Sequence, residues 1–130
     1  MNVLLIDDHQ ATRREMASLI EKQRDFKVVG EAGSGREGIT RALDLHPDII
    51  VMDVVMPGMN GIEATRKISA SDSGIRILAL SNHTGHYLVD AVLKAGAMGY
   101  VRKDQAYEEL VKAIRSIAAG DRYVGRGLDE

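Results

Sequence analysis

Five short aliphatic and β-branched runs recur along this chain, each followed by a stretch whose apolar residues repeat with helical spacing. The runs are NVLLID (2–7), FKVVGEA (26–32), DIIVMD (48–53), IRILALS (75–81) and MGYVR (98–102). This alternation restricts the fold more than any other feature. Strand–helix units in series join parallel strands through right-handed crossovers and leave helices on both faces of one sheet. The first, third and fourth runs are almost continuously apolar, as strands covered on both sides must be. FKVVGEA is more mixed and suits an edge.

The intervening helices have readable stripes and ends. Met16, Leu19, Ile20 and Gln23 follow the first run, Ile39, Ala42 and Leu43 the second, and Ile62, Thr65 and Ile68 the third. Leu88, Ala91, Val92 and Ala95 follow the fourth, and Leu110, Ala113, Ile114, Ile117 and Ala118 complete the fifth. Ser34 with Glu37, and Asn60 with Glu63, have capping-box spacing. Asp104 is the expected N-cap of the last helix, and Gly96 and Gly120 stand where helices should stop. At 130 residues the chain matches one domain and needs no covalent staple. That domain is expected over 1–120, with the polar, Gly-rich 121–130 (DRYVGRGLDE) as a tail or the start of a linker.

Composition removes several function classes. No cysteine is present, which excludes disulfides, thiolate nucleophiles and thiolate metal sites. Lys plus Arg number 17 against 19 Asp plus Glu, and no basic stripe emerges, so nucleic-acid binding by these residues is not expected. The apolar runs are too short to span a membrane, and MNVLLIDDHQ lacks the basic start of a signal peptide. A soluble, cytoplasmic protein is the expectation.

In open α/β sheets ligands gather at the carboxyl ends of the strands. Those ends carry Asp7 and Asp8 after the first strand, Asp53 on the third, Ser81 on the fourth and Lys103 after the fifth. Any one of them alone would pass for a cap or a solvated loop residue. Together they form a chemical set. Carboxylates drawn this close repel and call for a cation, and oxygen donors without His or Cys select Mg²⁺, Mn²⁺ or Ca²⁺. A carboxylate beside such an ion, facing a lysine and a hydroxyl, can accept a phosphoryl group as an acyl phosphate. Lys103 would neutralise phosphoryl oxygens and Ser81 would donate a hydrogen bond to one.

The segments LLIDDH, PDIIVMDVVMPGMNGIEATRKI, LALSNHTG and GAMGYVRKD together resemble the receiver domain of two-component response regulators over residues 2 to about 120. DDH, GYVRKD and AIRSIAAGDRYV are most similar to the NarL/FixJ (LuxR-type) subgroup. The resemblance implies a three-layer, flavodoxin-like (βα)5 doubly wound sheet of order 2-1-3-4-5. It implies Asp53 as phosphoacceptor, Asp8 as a direct Mg²⁺ ligand (Mn²⁺ as substitute), Asp7 acting through water, and the Val55 backbone carbonyl as a further ligand. Ser81 and Lys103 match the residues that bind the phosphoryl group, and Tyr100 matches the aromatic switch. Further implications are a sensor histidine kinase as donor, homodimerisation on phosphorylation, and DNA binding only through a C-terminal helix-turn-helix domain beyond these residues. No enzymatic activity is expected other than the domain's own phosphorylation and dephosphorylation. Where many receivers have Pro after the lysine, this chain has Asp104.

Other readings stay open at this stage. A stand-alone receiver working by protein contacts would share every motif, and a pseudo-receiver dimerising without phosphate would lack the intact acid set. Gly33-Ser34-Gly35-Arg36-Glu37-Gly38 spells G-x-G-x-x-G, but on the edge unit, where a dinucleotide would leave Asp8, Ser81 and Lys103 idle. His9, His46, His83 and His86 read better as capping or surface residues than as zinc ligands. Without the resemblance, Tyr100 reads as a half-buried strand-end aromatic, and the methionines as gap-fillers. Val55 and His83, two residues beyond Asp53 and Ser81, are positioned to guide or block hydrolytic water.

Overall fold

The computed structural model describes residues 1–82 and 86–125, with His86 described by its backbone alone. The strands are β1 (Asn2–Ile6), β2 (Lys27–Ala32), β3 (Ile49–Asp53), β4 (Arg76–Ser81), β5 (Gly99–Arg102) and β6 (Tyr123–Val124). The helices are α1 (Gln10–Glu21), α2 (Gly35–Leu45), α3 (Gly61–Ser71), α4 (His86–Ala95) and α5 (Ala106–Ala118). All strand pairs are parallel, in the order β2-β1-β3-β4-β5-β6. The expected five-stranded order is therefore present, with mixed β2 at one edge.

The pleat divides each apolar run between two cores. Leu4 and Ile6, Ile50 and Met52, and Ile77 and Ala79 face α2, α3 and α4, where Ala42, Ile68 and Val92 meet them. Val3 and Leu5, Ile49 and Val51, and Leu78 and Leu80 face α1 and α5, where Ile20, Leu110, Ile114 and Ile117 close the opposite layer. Burying side chains on both faces at about 1.5–3 kcal/mol each holds the sheet, so its ends can tolerate charge.

The helix signals mostly hold. Ser34 Oγ accepts from the Glu37 amide at 3.2 Å, and Asn60 Oδ1 from the Glu63 amide at 2.9 Å. Gly96 and Gly120 take positive φ just past α4 and α5. One cap differs: Gln105, not Asp104, precedes α5, after a 3-10 turn over Lys103–Gln105. The reason is electrostatic. Arg102 Nη2 donates to Asp104 Oδ2 at 2.7 Å and takes that carboxylate away from the helix end. The Lys103–Asp104 peptide is trans.

β6 is the element the sequence reading did not anticipate. Tyr123 and Val124 pair with Gly99 and Tyr100, and the Gly125 amide donates to the Tyr100 carbonyl at 2.7 Å. Tyr123 Oη donates to the buried Glu109 of α5 at 2.6 Å. The chain thus stays on the sheet beyond Gly120.

Candidate functional site

The β1, β3, β4 and β5 ends lie side by side, and each presents one part of the expected set. Asp53 is the last residue of β3 and only 4% exposed. Its Oδ1 accepts the Val55 amide at 3.1 Å and its Oδ2 the Lys103 ammonium at 3.1 Å. A tight junction fixes that strand end. The Gly61 amide donates to the Val54 carbonyl at 2.7 Å, and a Cβ at Gly61 would stand 2.5 Å from Val54 Cα. Only glycine lets α3 begin there.

Asp7 is wholly buried just beyond β1. Its Oδ1 accepts the His9 amide at 2.8 Å, and Lys103 Nζ lies 2.9 Å from its Oδ2. Asp8 is more open, its side chain 23% exposed. Asp7, Asp8, His9 and Asp53 bring one ligand atom each within 4.8 Å of one another. Two buried carboxylate oxygens there, Asp7 Oδ2 and Asp8 Oδ1, have no hydrogen-bond partner among the described residues. The Asp7 oxygen is close to the ammonium but outside hydrogen-bonding alignment, so Lys103 satisfies it by charge alone. Unpartnered, buried, anionic oxygens converging on one point fit a hard divalent cation.

Burial raises the Asp53 carboxyl above its ordinary value, and Asp7 adds to the rise, while Lys103 and the Val55 amide pull against them. For Lys103, burial opposes the charge, but the close carboxylates of Asp7 and Asp53 outweigh that and raise its pKa. One ammonium against a crowd of carboxylates leaves the site short of positive charge. A cleft of about 300 Å³ lined by His9, Thr12, Asn82, Lys103 and Asp104 opens it to solvent.

Ser81 ends β4 and is 1% exposed, and Tyr100 on β5 is fully buried. Their side chains share a hydrogen bond. Burial raises the Tyr100 phenol; the Ser81 bond works against that, and Asp53 reinforces it. Tyr100 is thus not the half-buried aromatic of the bare sequence reading, because the α4-side core closes over the whole ring.

The remaining candidates divide. The Val55 side chain is 48% exposed, and its amide, on Asp53, is the group the hydrogen bonds record. His83 lies outside the described residues. His46 is the left-handed C-cap of α2, φ 47°, near Asp72 and remote from the acids in the fold. His9 holds to the surface reading, its side chain 65% exposed, although it precedes α1 without a side-chain cap bond and its Nδ1 lies 3.2 Å from Asp8 Oδ1. Its adjacency to Asp8 in DDH was the available signal. Arg13 was missed altogether, since nothing local marks it.

A doubly wound parallel sheet whose carboxyl edge gathers three acids, a hydroxyl and a lysine defines a phosphoryl-acceptor class of α/β domain. Residues 3–115 match the family model described as the response regulator receiver domain, and the chain belongs to that family. It is 42% identical over 128 residues to the response regulator UvrY of Escherichia coli K12, covering 98% of this chain and 59% of that one. It is 42% identical over 121 residues to the transcriptional regulatory protein LiaR of Bacillus subtilis, covering 93% and 57%. These relatives are of the NarL/FixJ subgroup. The chain therefore spans 59% or less of the length of these two curated relatives. A LuxR-family response regulator from Aurantimonas sp. superposes with a TM-score of 0.90 at 41% identity, covering 94% of this chain and 87% of that one.

Proposed function

We propose that this receiver domain accepts a phosphoryl group on Asp53 in the presence of Mg²⁺ and relays the change to a transcriptional output domain outside these 130 residues. The observation that carries the reading is the placement of Lys103 Nζ 2.9 Å from Asp7 Oδ2 and 3.1 Å from Asp53 Oδ2, among acids whose ligand atoms lie within 4.8 Å of one another. Asp8 and Asp53 would hold the cation directly, the Val55 carbonyl would add a ligand, and Asp7 would act through water. Bound there, Mg²⁺ (or Mn²⁺) supplies neutralising charge for a phosphoryl group.

The chain's own residues do the rest. Asp53 is held at both oxygens, so it presents an oriented carboxylate rather than a mobile one. The donor of the proposed reaction is a phosphohistidine of a sensor kinase. An Asp53 oxygen bonds to phosphorus as the phosphorus–nitrogen bond breaks, and the departing imidazole keeps the electron pair and takes up a proton. Lys103 then exchanges part of its contact with Asp53 for a phosphoryl oxygen. Ser81 donates to another, which breaks or re-aims its bond with Tyr100. That exchange biases the face formed by α4, β5 and α5. Hydrolysis of the acyl phosphate is the domain's own, with Val55 shedding water beside Asp53 and His83, two residues past Ser81 in the sequence, as the second candidate to tune it.

A cytoplasmic location and DNA binding through an output domain are proposed from the relatives. Among the described residues no helix is long and apolar enough to cross a membrane. Phos-tag electrophoresis after acetyl phosphate treatment, with and without Mg²⁺, tests the reading. A slower band is expected only with Mg²⁺ and only when Asp53 is present. A slower band that persists in Asp53→Asn would overturn it.

A further inference from the structure

Arg13 occupies an unfavourable place for a cation. It is the fourth residue of α1, near the end whose dipole favours anions, and α1 has no acid in its first turn. Its side chain is nevertheless only 13% exposed. The guanidinium bridges three elements. Nε donates to Glu31 Oε1 of β2 at 2.7 Å, and Nη1 donates to the Asp7 backbone carbonyl at 2.5 Å. The Asp7 amide is itself held by the Ala32 carbonyl of β2 at 3.0 Å, and its Oδ1 by the His9 amide.

The Asp7 carbonyl belongs to the rigid peptide plane that joins Asp7 to Asp8. Fixing that oxygen fixes the plane, and with it the directions in which both carboxylates leave the main chain. We infer that Arg13, braced by Glu31, is a positioning residue that holds the Asp7–Asp8 pair in the geometry a divalent cation requires. The inference rests on the reading of Asp7, Asp8 and Asp53 as the cation site. It differs from a charge effect in sign. Removing a nearby positive charge should by itself tighten binding of a cation, whereas loss of positioning should weaken it.

Direct titration of the whole chain with Mn²⁺, following free Mn²⁺ by electron paramagnetic resonance, decides between them. Arg13→Met is expected to weaken Mn²⁺ binding about tenfold, the scale for outer-shell supports. Arg13→Lys keeps the charge but cannot bridge a carbonyl and a carboxylate in one plane, so it should weaken binding similarly. Glu31→Gln keeps an acceptor for Nε and should remain within about twofold. Urea unfolding fixes the folded fraction at which each titration is read, so lost stability is not mistaken for lost affinity. Should Arg13→Met fail to fold, Arg13→Lys carries the test. Unchanged or tighter Mn²⁺ binding in Arg13→Met, or full rescue by Arg13→Lys, overturns the inference. Loss of binding in Asp8→Asn with none in the Arg13 variants would leave the cation site standing and remove only Arg13's role. Wild type that binds no Mn²⁺ would sink both.

Discussion

Replacing Asp53 by Asn should stabilise the metal-free domain even as it abolishes the proposed acceptor. Ligand atoms of Asp7 and Asp8 lie within 4.8 Å of that of Asp53. At an effective dielectric of about 20, each such repulsion is roughly 3 kcal/mol, while the attraction of Lys103 at 3.1 Å is roughly 5 kcal/mol. Two repulsions outweigh one attraction by roughly 1–2 kcal/mol, and burial adds to the deficit. Asn keeps one acceptor oxygen, which serves the Val55 amide, while its NH2 group cannot accept from Lys103, whose attraction is the one already subtracted. A gain of that size raises Tm by roughly 2–6 °C at this chain length. The pH dependence follows from the raised Asp53 carboxyl. The penalty is absent below the unfolded value of 3.8, where the group is protonated in both states, grows as pH rises from there to the higher folded value, and is constant above it. The advantage of Asn should therefore open above pH 3.8 and be complete once the pH exceeds the raised folded value. Mg²⁺ at 100 times its Kd would add about 2.7 kcal/mol to the wild type and erase the gap. Calorimetry with chelator and with Mg²⁺ measures both. An Asp53→Asn domain no more stable than wild type at pH 7 in chelator would refute the electrostatic reasoning.

Lys103→Met leaves two buried carboxylates without their cation, so metal-free stability should fall by about 3 kcal/mol in urea unfolding while divalent-ion affinity rises. Gly61→Ala drives a Cβ into backbone at Val54 and Asp53 that cannot yield. It should cost about 2 kcal/mol and slow acetyl phosphate labelling, as read by Tm and band-shift rate. Val55→Asn places a hydrogen-bonding group on an exposed side chain two residues from Asp53 and should speed dephosphorylation several-fold, a tenfold change being about 1.4 kcal/mol of barrier. Loss of label after removal of the donor, followed with Mg²⁺ saturating, checks it; no acceleration rejects the water-placement account.

What could be read from the sequence was whatever periodicity and strand-end chemistry encode. β1, β3 and β4 declared themselves as unbroken apolar runs, and Asp7, Asp8, Asp53, Ser81 and Lys103 as polar residues ending or following such runs. β6 did not, because two residues carry no period and Tyr123-Val124 sits in a polar, Gly-rich stretch. Its support is tertiary: the Gly125 amide on Tyr100 and the Tyr123 hydroxyl on Glu109. The start of α5 was misplaced for a similar reason, since Arg102 competes for the Asp104 carboxylate and no local rule ranks that pair above a cap. Tyr100 looked like an edge aromatic, yet the core closes over it. Nothing in the sequence marked Arg13; only the fold brings Glu31 of β2 and the Asp7 carbonyl beyond β1 to its guanidinium.

The central claim is that one carboxylate, Asp53, receives the phosphoryl group beside a cation that it shares with Asp8, while Asp7 acts through water. Borohydride reduction converts an aspartyl phosphate to homoserine, which tandem mass spectrometry locates in the chain. After acetyl phosphate and Mg²⁺, the account predicts homoserine at position 53 and nowhere else, and none when Mg²⁺ is chelated. Homoserine at position 7 or 8, or equal labelling of Asp53 without a divalent ion, would contradict it.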